Sequence, residues 1–223
     1  MINRKIHQVD MRSSFPLASL FKDIPVANIA DEMSRMSCLD SEIRPYNDRP
    51  LLGVAITVKA CANDNLAFHK AIQMSEPGTV IVVDNEGSLS HSLCGEMMYS
   101  MARGRGAEGF VIDGAIRDVA SLRSMDFSVY ARGVQPRGPF KNGPGEVNVP
   151  VSVGGIVIHP GDIICGDSDG VVVIRPEDAI ETAKAARERF EKEKTALARI
   201  NGGDTSCRWL EQKLQDNGFE IVY

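Results

Sequence analysis

The 223-residue chain lacks several things, and each absence narrows what it does. No stretch approaches the roughly 20 consecutive apolar residues of a membrane-spanning helix, so none is predicted. Basic residues are not in excess. There are 25 Lys and Arg against 30 Asp and Glu, a net charge of −5, with a sequence pI near 5.4. That balance argues against nucleic acid and anionic membrane as partners. The five cysteines (Cys38, Cys61, Cys94, Cys165 and Cys207) are scattered, odd in number and form no CxxC pair. No zinc finger is predicted, and the expected setting is a reduced cytoplasm. His69, His91 and His159 lack a metal-ligand spacing such as HxxxH and read as surface or packing residues. GxxxxGK(S/T) is missing too, which removes the usual sign of a P-loop. Residues 1–7 carry charge with no apolar run behind them, so a signal peptide is not expected.

What is present reads as alternating strands and helices. A helical stretch over 14–40, with Asn28 as a possible N-cap, is followed by a strand over 51–58. A short helix over 65–74 leads to 79–83, a β-branched run of the kind buried on both faces. Leu93, Met97 and Met101 recur every fourth residue and predict a helix over 89–105, ended by Gly106. A strand ending at Asp113, a short helix over 119–125 and a strand over 128–132 complete a β-α-β-α-β-α-β order that favours parallel pairing. A Gly- and Pro-rich loop covers 133–145. Two hairpins follow, one of strands 147–153 and 156–159 turning at Gly154-Gly155 and one of strands 163–165 and 171–174 turning at 166–170. Pro176 opens a long C-terminal helix with Ile180, Ala183, Phe190, Leu197 and Ile200 on one side. Trp209 lies in a final segment.

The chemistry concentrates after the strand at 109–112, where Arg117 and Asp118 stand side by side before a helix. Ligands in α/β folds sit in such places, beyond the carboxyl end of a strand. Arg117 offers a planar fork for a carboxylate, and Asp118 a hard oxygen for a divalent cation. Together they suggest a metal-assisted site for a small organic acid. Gly95-Glu96-Met97-Met98 lies within the predicted 89–105 helix; were the helix to begin near Gly95 instead, its free amides could receive an anion. Glu96 reads either as a proton acceptor working through water or as an exposed helix glutamate. Asp113 reads as Asp-Gly turn chemistry. Asp167 and Asp169 read as a hairpin turn, since the rest of a calcium loop is missing. Lys59 reads as a surface lysine.

The segments Gly95-Glu96-Met97-Met98 and 109–118 resemble the signature of the 4-hydroxy-4-methyl-2-oxoglutarate/4-carboxy-4-hydroxy-2-oxoadipate aldolases, which share a fold with the regulator of ribonuclease activity A. Residues 28–31, 53–58, 77–80, 160–162 and 166–174 are similar to family blocks as well, so the likeness spans about 25–195. The resemblance implies a layered αββα-type α/β sandwich of the RraA-like (swivelling β/β/α-like) kind. The expected organisation is a single RraA-like domain over 1–200, with 201–223 as an extension. It also implies trimers or hexamers with sites at subunit boundaries, a magnesium or manganese ion, and cleavage of a 2-oxo acid to pyruvate, with oxaloacetate decarboxylation as a side activity. In that scheme Gly95, Glu96, Met97 and Met98 hold substrate, partly through backbone amides. Arg117 binds the 2-oxo acid and steadies an enolate. Asp118 ligates the metal, Glu96 handles protons, and Glu193, or else Glu191, reaches the metal from a neighbouring copy. Two departures stand out. Ser121 occupies a position where many members have an acid, and Met97 and Met98 stand where larger apolar residues are common. The alternative in the same superfamily is a non-catalytic, protein-binding regulator. A demethylmenaquinone methyltransferase is disfavoured because no glycine-rich loop follows the first strand.

Overall fold

The computed structural model describes residues 3–207, 209–220 and 222. They form two compact units, Met1–Arg187 and Glu188–Tyr223. The first begins with helices α1 (Ser14–Ala18) and α2 (Val26–Glu32). It continues through β1 (Arg44–Pro45), β2 (Leu51–Ala60), α3 (Leu66–Met74), β3 (Thr79–Asp84), α4 (Glu96–Gly104), β4 (Gly109–Ile116), α5 (Val119–Leu122) and β5 (Ser128–Val134). Next come β6 (Gly145–Val147), β7 (Val151–Val153), β8 (Ile156–Ile158), β9 (Ile163–Asp167) and β10 (Gly170–Ile174). Helix α6 (Ala179–Asn201) crosses the boundary between the units, and α7 (Leu210–Asp216) lies in the second.

Strands β2, β3, β4 and β5 pair in parallel, as the alternating pattern predicts. Strand β9 lies antiparallel on the first half of β2, and β6 on its second half. Strand β10 continues outward from β9, and β1 borders β5, which gives the order β1-β5-β4-β3-β2-β9-β10. The sheet curls until its ends nearly meet. Residues 37–39 bond to β10 through Leu39 N to Val171 O (2.9 Å) and Val173 N to Ser37 O (3.0 Å), and the same stretch of chain then enters β1 on β5. Tyr130 of β5 spans the interior, its hydroxyl donating to the Asp167 carbonyl at the end of β9 (3.0 Å).

Alternation along the strands divides the core in two. Ile81, Val83, Phe110, Ile112 and Val129 face outward and are covered by helices; Phe110 packs edge-on against Phe68 of α3 and against Phe127. Ala55, Val80, Val82, Val111 and Tyr130 face inward, where the β7–β8 hairpin supplies Val151, Val153 and Ile158. The predicted glycine turn is there: Gly154 and Gly155 both have positive φ (55° and 81°), as a two-residue hairpin turn requires. The result is a mixed α/β fold around a nearly closed, barrel-like sheet. Among the described residues no helix is long and apolar enough to cross a membrane.

Several local expectations are corrected. The 14–40 stretch breaks into two short α-helices and a 3-10 turn, and Asn28 is buried inside α2. The α2 N-cap is Pro25, and the first free amide, Val26 N, is satisfied by Asp167 Oδ2 at 2.9 Å. Val147 belongs to β6 on β2, separated from the hairpin by Asn148 with φ 58°. Within the first unit α6 buries Ala179, Ala183 and Ala186, while Ile180 points outward. Asp113 does not end its strand. Strand β4 runs on past a bulge to Ile116, and the Asp113 carboxylate is buried, paired with Arg132 and accepting from Gly154 N (3.0 Å). Arg132 also reaches Glu42 (2.6 Å) and Asp40 (3.3 Å), on the segment that closes the sheet. Removing one member of a buried ion pair leaves an uncompensated charge. Arg132→Met should therefore cost about 3 kcal/mol in urea unfolding. The double variant Arg132→Met/Asp113→Leu should recover most of that loss.

Candidate active site

The site is built where the stretch before α4 meets the end of β4. Ser92 donates through both its amide and its hydroxyl to the Arg137 carbonyl (2.8 and 3.0 Å). Leu93 N donates to Ala115 O (2.9 Å), and Arg117 N to Cys94 O (3.0 Å). These bonds hold 92–94 extended, with Leu93 and Cys94 buried, so the helix predicted over 89–105 begins only at Glu96. The alternative start near Gly95 is the one the chain adopts. The inward face of α4 is Met98, Tyr99 and Ala102, whereas Met97 is 79% exposed and Met101 43%. The fourfold spacing of Leu93, Met97 and Met101 is not the buried stripe it suggests.

Arg117 and Asp118 follow β4 directly. Asp118 adopts a left-handed conformation (φ 59°), which aspartate tolerates better than most residues. That turn brings its Oδ2 to the Glu96 amide (3.0 Å) at the N-terminus of α4, with Arg117 Nε 3.7 Å away. Such a terminus favours negative charge. Gly95 is required here by space. Its backbone is extended (φ −158°), but a Cβ would overlap the Asp118 carboxylate. Across the turn, Ser121 Oγ donates to Glu96 Oε2 (2.9 Å). The serine standing in place of an acid thus serves as a donor to Glu96. Tyr99 is buried and its hydroxyl donates to the Arg117 carbonyl (2.7 Å), tying the helix to the Arg-Asp turn.

These groups border a cleft of about 280 Å³. Gly95, Met97, Met98, Arg117 and Asp118 all line it; the Glu96 side chain does not, and is tied instead to Ser121. Three further lining residues were not singled out in the sequence: Asn65, His69 and Lys141. His69 had read as a surface or packing residue. It lines the cleft instead, and burial, then the charge of Lys141, holds its imidazole below the usual value. Burial pushes the Cys94 thiol far up, so it is no nucleophile. Lys59 pairs with Asp84 (2.7 Å) away from this cleft. Asp167 and Asp169 form the β9–β10 turn, as expected. Among the described residues no group of three or more His, Cys, Asp or Glu is arranged to hold a metal. The Asp118 side chain is 41% exposed, and its Oδ1 has no protein partner among the described residues, so one hard oxygen is open to a cation. Glu191 and Glu193 lie in the second unit, where Glu191 pairs with Lys194 (2.7 Å).

The fold and site define a class: an α/β protein with a barrel-like sheet and an Arg-Asp pair set against a helix N-terminus. The chain belongs to the RraA-like family, whose model, described as Aldolase/RraA, matches residues 26–173. It is 38% identical, over 182 residues, to a protein of Halalkalibacterium halodurans provisionally named 4-hydroxy-4-methyl-2-oxoglutarate aldolase; the match covers 80% of this chain and 87% of that one. Among solved structures it is similar to the RNA-processing inhibitor RraA from Thermus thermophilis (28% identity, TM-score 0.64, 68% of this chain and 93% of that one). A structure from Geobacillus kaustophilus described as an S-adenosylmethionine: 2-dimethylmenaquinone methyltransferase is also similar (33% identity, TM-score 0.63, 68% and 94%).

Gly95→Ala should displace the Asp118 carboxylate and break its bond to the Glu96 amide. The melting temperature should fall by about 2–4 °C, the scale of one lost helix-cap bond, since the extended Gly95 backbone itself suits any residue. A crystal structure of the variant checks the displacement; an unmoved carboxylate would refute the spatial argument.

Proposed function

We propose that this protein is a divalent-metal-dependent carbon–carbon lyase that cleaves a 4-hydroxy-2-oxo acid of the 4-hydroxy-4-methyl-2-oxoglutarate or 4-carboxy-4-hydroxy-2-oxoadipate type, releasing pyruvate and a second oxo acid. The observation that carries this reading is the meeting of Arg117, Asp118 and Glu96 at the N-terminus of α4, where Arg117 and Asp118 line a cleft. The provisional name of the Halalkalibacterium halodurans relative supports it.

The residues present fit a magnesium or manganese ion. Magnesium keeps several waters and takes only one or two carboxylates, and the open oxygen of Asp118 offers one such ligand. Glu193 of a neighbouring copy would complete the surroundings in a trimer or hexamer. Exposed Met97, Met101 and Phe140 give apolar surface for such an assembly. When bound, the ion supplies Lewis-acid stabilisation of negative charge on the 2-oxo acid.

The chain's own groups do the rest. The Arg117 guanidinium binds the 2-oxo acid and faces the oxygen on which charge develops as the C3–C4 bond breaks. Fixed charge in such a place contributes several kcal/mol, on the order of a hundredfold or more in rate. The C4 hydroxyl must lose a proton, and the C3 methylene of the departing enolate must gain one. Glu96, held by Ser121, serves these transfers through a water. Oxaloacetate decarboxylation passes through the same enolate and is expected as a side activity.

The test is pyruvate release from 4-hydroxy-4-methyl-2-oxoglutarate and from oxaloacetate, with magnesium or manganese and then with chelator. Metal-dependent pyruvate from both is expected. Arg117→Ala should lower turnover at least about a hundredfold with the oligomer intact, and Asp118→Ala should remove both activity and metal dependence. No pyruvate from either acid would refute the lyase reading and favour a protein-binding role such as that of the RNA-processing inhibitor.

A further inference from the structure

A second cavity, of about 390 Å³, has no part in the chemistry above. Of the residues lining it and the Arg117 cleft, only His69 is common to both. The cavity exists because the N-terminal stretch is laid down as an extra strand outside β6. Gly145 N donates to Asn3 O (2.9 Å), Val147 N to Lys5 O (3.0 Å) and His7 N to Val147 O (3.1 Å), and Asn148 Nδ2 holds the end of the run at His7 O (3.0 Å). Side chains alternate along an extended strand, so Arg4 and Ile6 fall on one face, and both line the cavity. Another wall is α3, where Leu66, Lys70 and Gln73 recur at helical spacing. Residues 143–145 complete it, running so close to α3 that a Cβ on Gly145 would lie 2.7 Å from that of Ala67.

The lining combines uncovered apolar surface with charge of one sign. Ile6 and Leu66 are 42% and 47% exposed. Arg4 and Lys70 line the same cavity, no acidic residue does, and among the described residues neither cation has an acidic partner. Burial, then the charge of Lys141, holds the His69 imidazole below its usual value, so it adds no positive charge at neutral pH. In a chain of net charge −5, two unmatched cations beside exposed apolar side chains stand apart. Cavities of this size hold small molecules. A small inorganic anion would leave Ile6 and Leu66 in water, and a neutral apolar molecule would leave Arg4 and Lys70 unmatched. The complement of the lining is an apolar body carrying one anionic group.

We infer that this cavity is a second binding site, for an aryl- or alkyl-substituted monocarboxylate. The body of the ligand lies against Ile6, Leu66, Ala67 and Pro144, and its carboxylate is held by Arg4 and Lys70. The site is separate from the Arg117 cleft and stands whether or not the lyase reading holds. His69, the wall common to both, reports on its occupancy.

Titration calorimetry with 3-phenylpropionate and its uncharged counterpart 3-phenylpropan-1-ol tests the inference. The wild type should bind the carboxylate at least about tenfold more tightly than the alcohol, the scale of one charge-assisted hydrogen bond. Binding should also shift the imidazole resonances of His69 in NMR spectra. The double variant Arg4→Gln/Lys70→Gln should lose the preference. Leu66→Glu places an acid in the first turn of α3, where it suits the helix terminus, and should remove carboxylate binding. All three replaced side chains are exposed, so the melting temperature should hold. Arg117→Ala should bind 3-phenylpropionate as the wild type does. A wild type that binds neither compound, or both equally, overturns the inference, as does a preference that survives loss of both cations. Carboxylate binding that disappears in Arg117→Ala overturns it too, by placing the ligand in the other cleft.

Discussion

The site depends on one piece of backbone pairing, that of residues 92–94 with the end of β4. Without it the stretch before Gly95 would be free to join α4. Leu93 N to Ala115 O and Arg117 N to Cys94 O stop the helix from extending backward, so its first amide, Glu96 N, is left for the Asp118 carboxylate. The same bonds bring Gly95 against Asp118, where only a residue lacking a side chain fits. The Tyr99 hydroxyl on the Arg117 carbonyl locks the two elements from beneath. Helix start, left-handed aspartate and obligatory glycine are thus three expressions of a single junction.

The structure separates stability from chemistry. The barrel interior is apolar apart from anchored groups such as Asp113, and the β7–β8 hairpin fills it. The cleft lies on the helix-bearing side, bordered by the starts of α3 and α4 and by the 135–144 loop. Residues that contact a small molecule there make few demands on the inner core. Such a division suits a family that includes both an RNA-processing inhibitor and proteins named for enzymes.

Much of this was legible in the residue pattern because it rests on local physics. The β-branched run at 79–83 can hardly be anything but a buried strand, and strand-helix alternation implied the parallel β2-β3-β4-β5 ladder. Arg117 and Asp118 were legible because their position, just past an apolar strand, already marks them. What was illegible depends on partners distant in sequence. Leu93, Met97 and Met101 have faultless helical spacing, yet Leu93 is buried by pairing with β4 and the two methionines face outward. Asp113 looks like half of an Asp-Gly turn until Arg132 is seen beside it. His69 sits on an ordinary amphipathic helix, and only the return of the 135–144 loop gives it Lys141 as a neighbour.

The closure of the sheet has a further consequence, for the order in which the molecule can assemble. Leu51 pairs with Gly166, and Cys38 with Val172, so the central strand β2 waits for β9, and the N-terminal segment for β10. The parallel β2–β5 block can form while the chain is still leaving the ribosome, but until β9 arrives its β2 edge lies bare along the half that β6 never covers. Pairings this remote make late, slow steps, and an uncovered edge strand is a template for mispairing. Chaperones would meet this chain as a half-wound sheet lacking its last two strands.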